Sequence, residues 1–120
     1  MKNLKRILIG TKTYPFKIDL NVLEHIQEEY GTIHQFEMDL LGYKFGKDEE
    51  GKQLYDAEGE PVLYKTEPSI KAIKTVLPAA INEGLDIEAE KENRTKEKVS
   101  EEEIIRNCTI PFDLLGKMLH

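Results

Sequence analysis

The sequence predicts an α+β domain: an N-terminal β-hairpin packed with several short α-helices, and a mostly helical C-terminal half. Three observations carry this. Apolar residues near the N-terminus recur with a period of two on either side of Gly10-Thr11-Lys12, the pattern of two paired strands. From Asp19 onward the period becomes that of a helix. Asp, Thr or Ser precedes most of the later apolar blocks, and Gly follows several of them, as caps do.

Residues 5–18 read as two strands. Ile7 and Ile9 alternate with Leu8, and Tyr14, Phe16 and Ile18 alternate with Pro15 and Lys17. Pro15 has no amide hydrogen for a ladder, so its strand is expected at an edge. Asp19 caps a first helix whose apolar positions are Leu20, Leu23, Ile26 and Tyr30, with Gly31 as its stop. Thr32 caps a second, carrying Ile33, Phe36, Leu40 and Leu41 and ending at Gly42. Two short helices joined by one Gly turn each need a partner surface, and the hairpin is the nearest.

Residues 43–67 are polar turn chemistry around the short apolar pieces Leu54-Tyr55 and Val62-Leu63-Tyr64, and are expected as a polar loop or hairpin. A third helix opens at Pro68, where a missing amide hydrogen costs nothing. Its stripe is Ile70, Ile73, Leu77, Ala80 and Ile81, its stop is Gly84, and Pro78 is expected to kink or break it. Residues 86–99 are almost wholly charged and are read as a linker or a frayed helix. Ser100-Glu101-Glu102-Glu103 is a capping box opening a helix with Ile104 and Ile105 inside. Thr109-Ile110-Pro111 restarts the chain as a last helix with Phe112, Leu115, Met118 and Leu119 at helical spacing. Those four form an apolar edge that must be covered by the domain, a sister copy or another protein, and they are the candidate protein-binding residues.

The 120 residues suit one domain, residues 1–120, and 39% apolar content suffices for one modest core. A formal charge of −6 argues against nucleic acid as a partner. No apolar run approaches the roughly 20 residues of a membrane span, and the apolar stretch after Met1 is too short for a signal peptide. Neither a membrane nor secretion is therefore expected. The single Cys108 rules out an internal disulfide and fits a reducing cytoplasm.

No catalytic, cofactor or metal residues are assigned. The acidic run starting at Asp48 fails the EF-hand spacing, because Lys52 and Gln53 fall where an oxygen ligand and a Gly are required. His25 stands alone, and His34 with Glu37 lacks the further helical acids of a di-metal site. Gly42-Tyr43-Lys44-Phe45-Gly46 is not a phosphate-binding loop. A small acidic α+β domain with no chemistry of its own points to binding another macromolecule.

Four segments in order carry a family likeness. They are Lys12-Thr13-Tyr14-Pro15-Phe16-Lys17-Ile18, then Leu23 through Tyr30-Gly31, then Ile70 through Glu83-Gly84, then Ser100-Glu101-Glu102-Glu103. This series resembles the tail assembly chaperones of long-tailed bacteriophages and prophages. The resemblance implies a non-catalytic protein of the host bacterial cytoplasm. Such a protein binds the tape measure protein, keeps it soluble, helps recruit the tail tube protein, and self-associates as a homo-oligomer in a spiral or ring. Two other readings compete: a structural tail-completion or neck component of the virion, and a small metal-binding domain.

Overall fold

The computed structural model describes residues 4–120, apart from the side chains of Phe112 and Asp113. The fold is α+β and is built around one long helix. β1 (Lys5–Ile9) and β2 (Lys12–Phe16) pair antiparallel, with Ile7 opposite Tyr14 and Ile9 opposite Lys12. In β1 the alternation works as expected: Ile7 and Ile9 are buried while Leu8 between them is 54% exposed; in β2 it does not, since Pro15 and Phe16 are both buried.

α1 (Leu20–Tyr30) begins at Asp19, whose Oδ1 accepts from the Asn21 and Val22 amides at 3.1 and 3.2 Å. Its buried line is Val22 and Ile26, four residues apart, with Leu23 and Tyr30 half-buried. Leu20 is not part of that face; it is 82% exposed. α2 (Ile33–Leu41) is capped by Thr32, whose hydroxyl oxygen accepts from the Gln35 amide, and it buries Phe36 and Leu40. Both helices find their partner in α3 (Ile70–Lys91), not chiefly in the hairpin.

α3 departs from expectation in four ways. Ser69 rather than Pro68 is its cap, with Oγ accepting from the Ala72 amide at 3.2 Å. Ile70 is 52% exposed, outside the buried stripe of Ala72, Ile73, Val76, Leu77, Ala80 and Ile81. Of the kink or break expected at Pro78, the break does not occur: the helix runs through it for 22 residues. A proline removes one helical hydrogen bond, whereas Val76, Leu77, Ala80 and Ile81 around it are all fully buried; packing outweighs the lost bond. Gly84, finally, is inside the helix and not its stop. A Cβ there would come to 2.5 Å from the Pro15 carbonyl oxygen and 2.8 Å from Phe16 Cα. Glycine lets strand β2 lie directly on the helix, and just beyond it the Lys17 amide donates to the Ala80 carbonyl at 3.1 Å.

The charged segment splits. Residues up to Lys91 extend α3, and residues 92–100 are irregular. The return is pinned where the Val99 amide donates to Asn82 Oδ1 at 2.9 Å and Asn82 Nδ2 donates to the Val99 carbonyl at 3.1 Å. α4 (Glu101–Asn107) has Ser100 as cap, accepting from the Glu103 amide, and buries Ile104 with Ile105 half-buried. α5 (Phe112–Leu119) docks on α2 and α3. Gly116 allows this, because a Cβ there would collide with the Leu40 carbonyl oxygen.

Residues 43–65 form a separate β lobe. β3 (Tyr43–Phe45) pairs antiparallel with β4 (Leu63–Lys65), and further bridges join Lys47 to Gln53 and Tyr55 to Pro61. Three backbone bonds close a ring: Gly46 donates to Val62, Val62 to Leu54, and Leu54 to Gly46, at 2.8–2.9 Å. The neck is tied by the Thr66 amide donating to Gly42 and the Ser69 amide to Asp39.

Candidate functional site

A groove of about 920 Å³ runs between α1 and α3 and ends against residues 98–101. It exists because the two helices bury Val22, Ile26 and the α3 stripe between them, leaving the upper flank of α3 open. Its apolar walls are Ile70, Pro78 and Ala79 from α3. Along α3 the charges run from Lys71 and Lys74 near its start to Glu83 and Asp86 near its end, and Glu29 of α1 together with Lys98 and Glu101 also lines the groove. The Lys71 ammonium also lies over the Tyr30 ring at 5.2 Å.

The acidic end is electrostatically loaded. Burial pushes the Glu83 carboxyl above its ordinary value; a hydrogen bond from Asn21 opposes this, while Asp19 and Asp86 reinforce it. Asp86 Oδ1 is buried and has no hydrogen-bond partner among the described residues. At the other end of α1, burial and then the hydrogen bond to Asp39 hold the Tyr30 hydroxyl pKa above its usual value.

The four candidate protein-binding residues do not act together. Leu115 and Leu119 are 3% and 2% exposed, members of the core cluster, and the domain itself covers them. Met118 reaches the surface at 36%, beside the exposed Leu114. The Phe112 side chain lies outside what is described. An amphipathic terminal helix reads the same in sequence whether its partner is its own domain or another chain, so only the docking of α5 separates the two.

The histidines and the acidic run also have definite places. His25 lines the groove, whereas His34 stacks on Phe45 with ring centroids 6.1 Å apart, joining α2 to the β lobe. Asp48 Oδ1 accepts from the Glu50 and Lys52 amides, and Asp56 Oδ1 from the Glu58 and Glu60 amides. Both carboxylates thus anchor turns. Among the described residues no three His, Cys, Asp or Glu side chains are grouped to hold a metal ion. Cys108 is half-buried against the core.

Among the described residues no helix is long and apolar enough to cross a membrane. The residues that sequence reasoning missed are those that shape the groove: Asn82, which pins the return segment, and Asp86 with Glu83. Their only sequence signal was polarity on the flank of an apolar stripe. No family model matches this chain, and neither does any curated protein or solved structure.

Proposed function

We propose that the protein is a non-catalytic tail assembly chaperone of a bacteriophage or prophage. On this reading it acts in the host bacterial cytoplasm, where it holds a helical segment of the tape measure protein and assists tail tube assembly. The observation that supports this is the groove beside α3. From Ile70 to Asp86 it follows about 24 Å of helix, at 1.5 Å per residue, a length that suits four to five turns of a client helix laid alongside. Its apolar walls fit the buried face of an amphipathic helix. Its α3 flank fits a client that is acidic toward Lys71 and Lys74 and basic toward Glu83 and Asp86.

Co-expression with a fragment of the cognate tape measure protein tests the reading. The fragment should stay soluble with the wild-type chain and precipitate with an Ile70→Glu, Ala79→Glu variant. Ile70 is exposed and Ala79 only half-buried, so that variant should fold. Deleting residues 112–120 would not serve, because it removes Leu115 and Leu119 from the core. A fragment that precipitates even with the wild-type chain would sink the proposal, and recovery of the chain in purified particles would favour a tail-completion or neck component.

A further inference from the structure

Packing explains how α3 tolerates Pro78, but not why a proline stands there. An alanine would keep the helical hydrogen bond that proline gives up. The position of Pro78 supplies a reason. Pro78 and Lys74, one turn earlier, both line the groove between α1 and α3. The carbonyl deprived of its donor by a proline is that of residue i−4, here Lys74, and the proline ring pushes it out of the helix line. The freed oxygen therefore lies on the groove side of α3, and the helix continues past it without a break.

Among the described residues no side chain or loop amide takes up that carbonyl. The nearest hydroxyl, Thr75 Oγ1, donates instead to the Lys71 carbonyl at 2.7 Å. Its one proton is spent there, so on the groove side Thr75 can only accept. Asn82, one turn beyond Pro78, is held by its two bonds to Val99. At the far end Asp86 Oδ1 is buried and has no partner among the described residues. The α3 wall of the groove is thus rich in acceptors that the domain leaves unmet.

Two acceptors on consecutive residues, Lys74 and Thr75, suit a group with two donor hydrogens. Lys and Arg carry such donors, but the positive charges of Lys71 and Lys74 stand at this end against the single carboxylate of Glu29, and a further cation would be repelled. A primary amide offers two N–H donors and no charge. An occupant that covers these oxygens with an apolar side chain leaves them buried and unmet, which costs their desolvation. One that donates to them avoids that cost.

We propose that the groove selects a helix carrying a Gln or Asn side chain on its apolar face at the level of Pro78. The side-chain amide donates to the Lys74 carbonyl and to Thr75 Oγ1, which makes Pro78 a specificity-determining residue. The inference rests on the reading of this groove as a helix-binding site and adds to it a polar recognition point.

Titration of the full chain with two synthetic amphipathic helical peptides tests this. The peptides are identical except at one central position of the apolar face, Gln in one and Met in the other. The wild type should bind the Gln peptide about tenfold more tightly, the order expected when a buried acceptor is otherwise left unmet. Pro78→Ala restores the missing amide, and hydrogen exchange should show the amide introduced at position 78 to be protected. In that variant the preference should fall to about twofold or less, and in Thr75→Val to about threefold, as acceptors are withdrawn. Should Pro78→Ala unfold, judged by circular dichroism, the wild type and Thr75→Val still decide. Equal binding of the two peptides by the wild type would overturn the proposal. So would a preference that survives Pro78→Ala with its amide protected, or failure of both peptides to bind. If the Gln peptide binds as expected while the tape measure fragment still precipitates, the groove takes an amide-bearing helix of another protein and only the chaperone reading falls.

Discussion

At single residues, burial and close approach decide outcomes that propensity would decide the other way. Alanine in place of a mid-helix glycine normally gains about 1 kcal/mol. At Gly84 the new Cβ would stand 2.5 Å from a backbone oxygen of β2, and the strand cannot yield without lifting Phe16 from the core. Gly84→Ala should therefore lower stability by about 1–3 kcal/mol, the usual range for overpacking, read as a lower melting midpoint; a rise would mean that the strand moves freely. Glu83 gives a prediction with a pH sign. Its folded carboxyl titrates above its ordinary 4.5 because it is buried near Asp19 and Asp86, so the charged form is disfavoured in the fold. Stability from this group is fullest below the unfolded pKa and is lost as the pH rises through the raised folded value. Glu83→Gln should raise the melting midpoint at pH 7 and leave it nearly unchanged at pH 4. An equal gain at both would assign the effect to packing. Lys98 also lines this end of the groove, and a net gain at pH 7 means that its attraction does not offset the two aspartates.

At the level of elements, the long helix and the lobe owe their order to different forces. α3 survives Pro78 because its buried stripe anchors both sides of the proline. The lobe contributes nothing to the core, so its removal should leave the body intact. Replacing residues 45–63 with Asn-Gly would join Lys44 to Tyr64, which already face each other across the ribbon, through a two-residue turn suited to a hairpin. Cooperative unfolding should persist with a midpoint within a few degrees of wild type, since about 1 kcal/mol corresponds to 4–8 °C in a chain of this size. Loss of cooperativity would show that the lobe props up α2. Asp56→Ala should act more locally, freeing the Glu58 and Glu60 amides and speeding hydrogen exchange in the second turn without changing it in α3. Uniform acceleration would mean that the lobe unfolds only with the whole domain.

For the whole molecule, the C-terminal helix closes the core by returning to α2 and α3. Truncation after Pro111 removes Leu115 and Leu119, both nearly fully buried. Emptying one such site costs about 2–5 kcal/mol, and two together approach the 5–15 kcal/mol that holds an ordinary domain. The truncated chain should lose its cooperative melt; a retained sharp transition would show that α5 is an accessory. The shape follows from the same balance. One body buries the apolar core while no lobe residue joins it, and the molecule measures 56 × 27 × 26 Å.

The amino-acid sequence by itself determined the local structure. The hairpin, the two capped helices between Asp19 and Gly42, the Ser100 cap and the α+β class were all legible, because period and caps act over a few residues. The repeated Asp-x-Glu-Gly turns were also there to read, although their eight-residue period became meaningful only when Gly46, Leu54 and Val62 were seen to bond in a ring. Tertiary structure alone decided what each apolar or glycine residue faces. Leu20 and Ile70 sit at helical spacing yet are exposed, Val76 is buried, and Gly84 is a contact point and not a stop. The groove likewise draws on α1, α3 and residues 98–101, which sequence separates by dozens of positions. The physical reason is range: hydrogen bonds in turns and caps join near neighbours, whereas burial depends on which distant surface arrives.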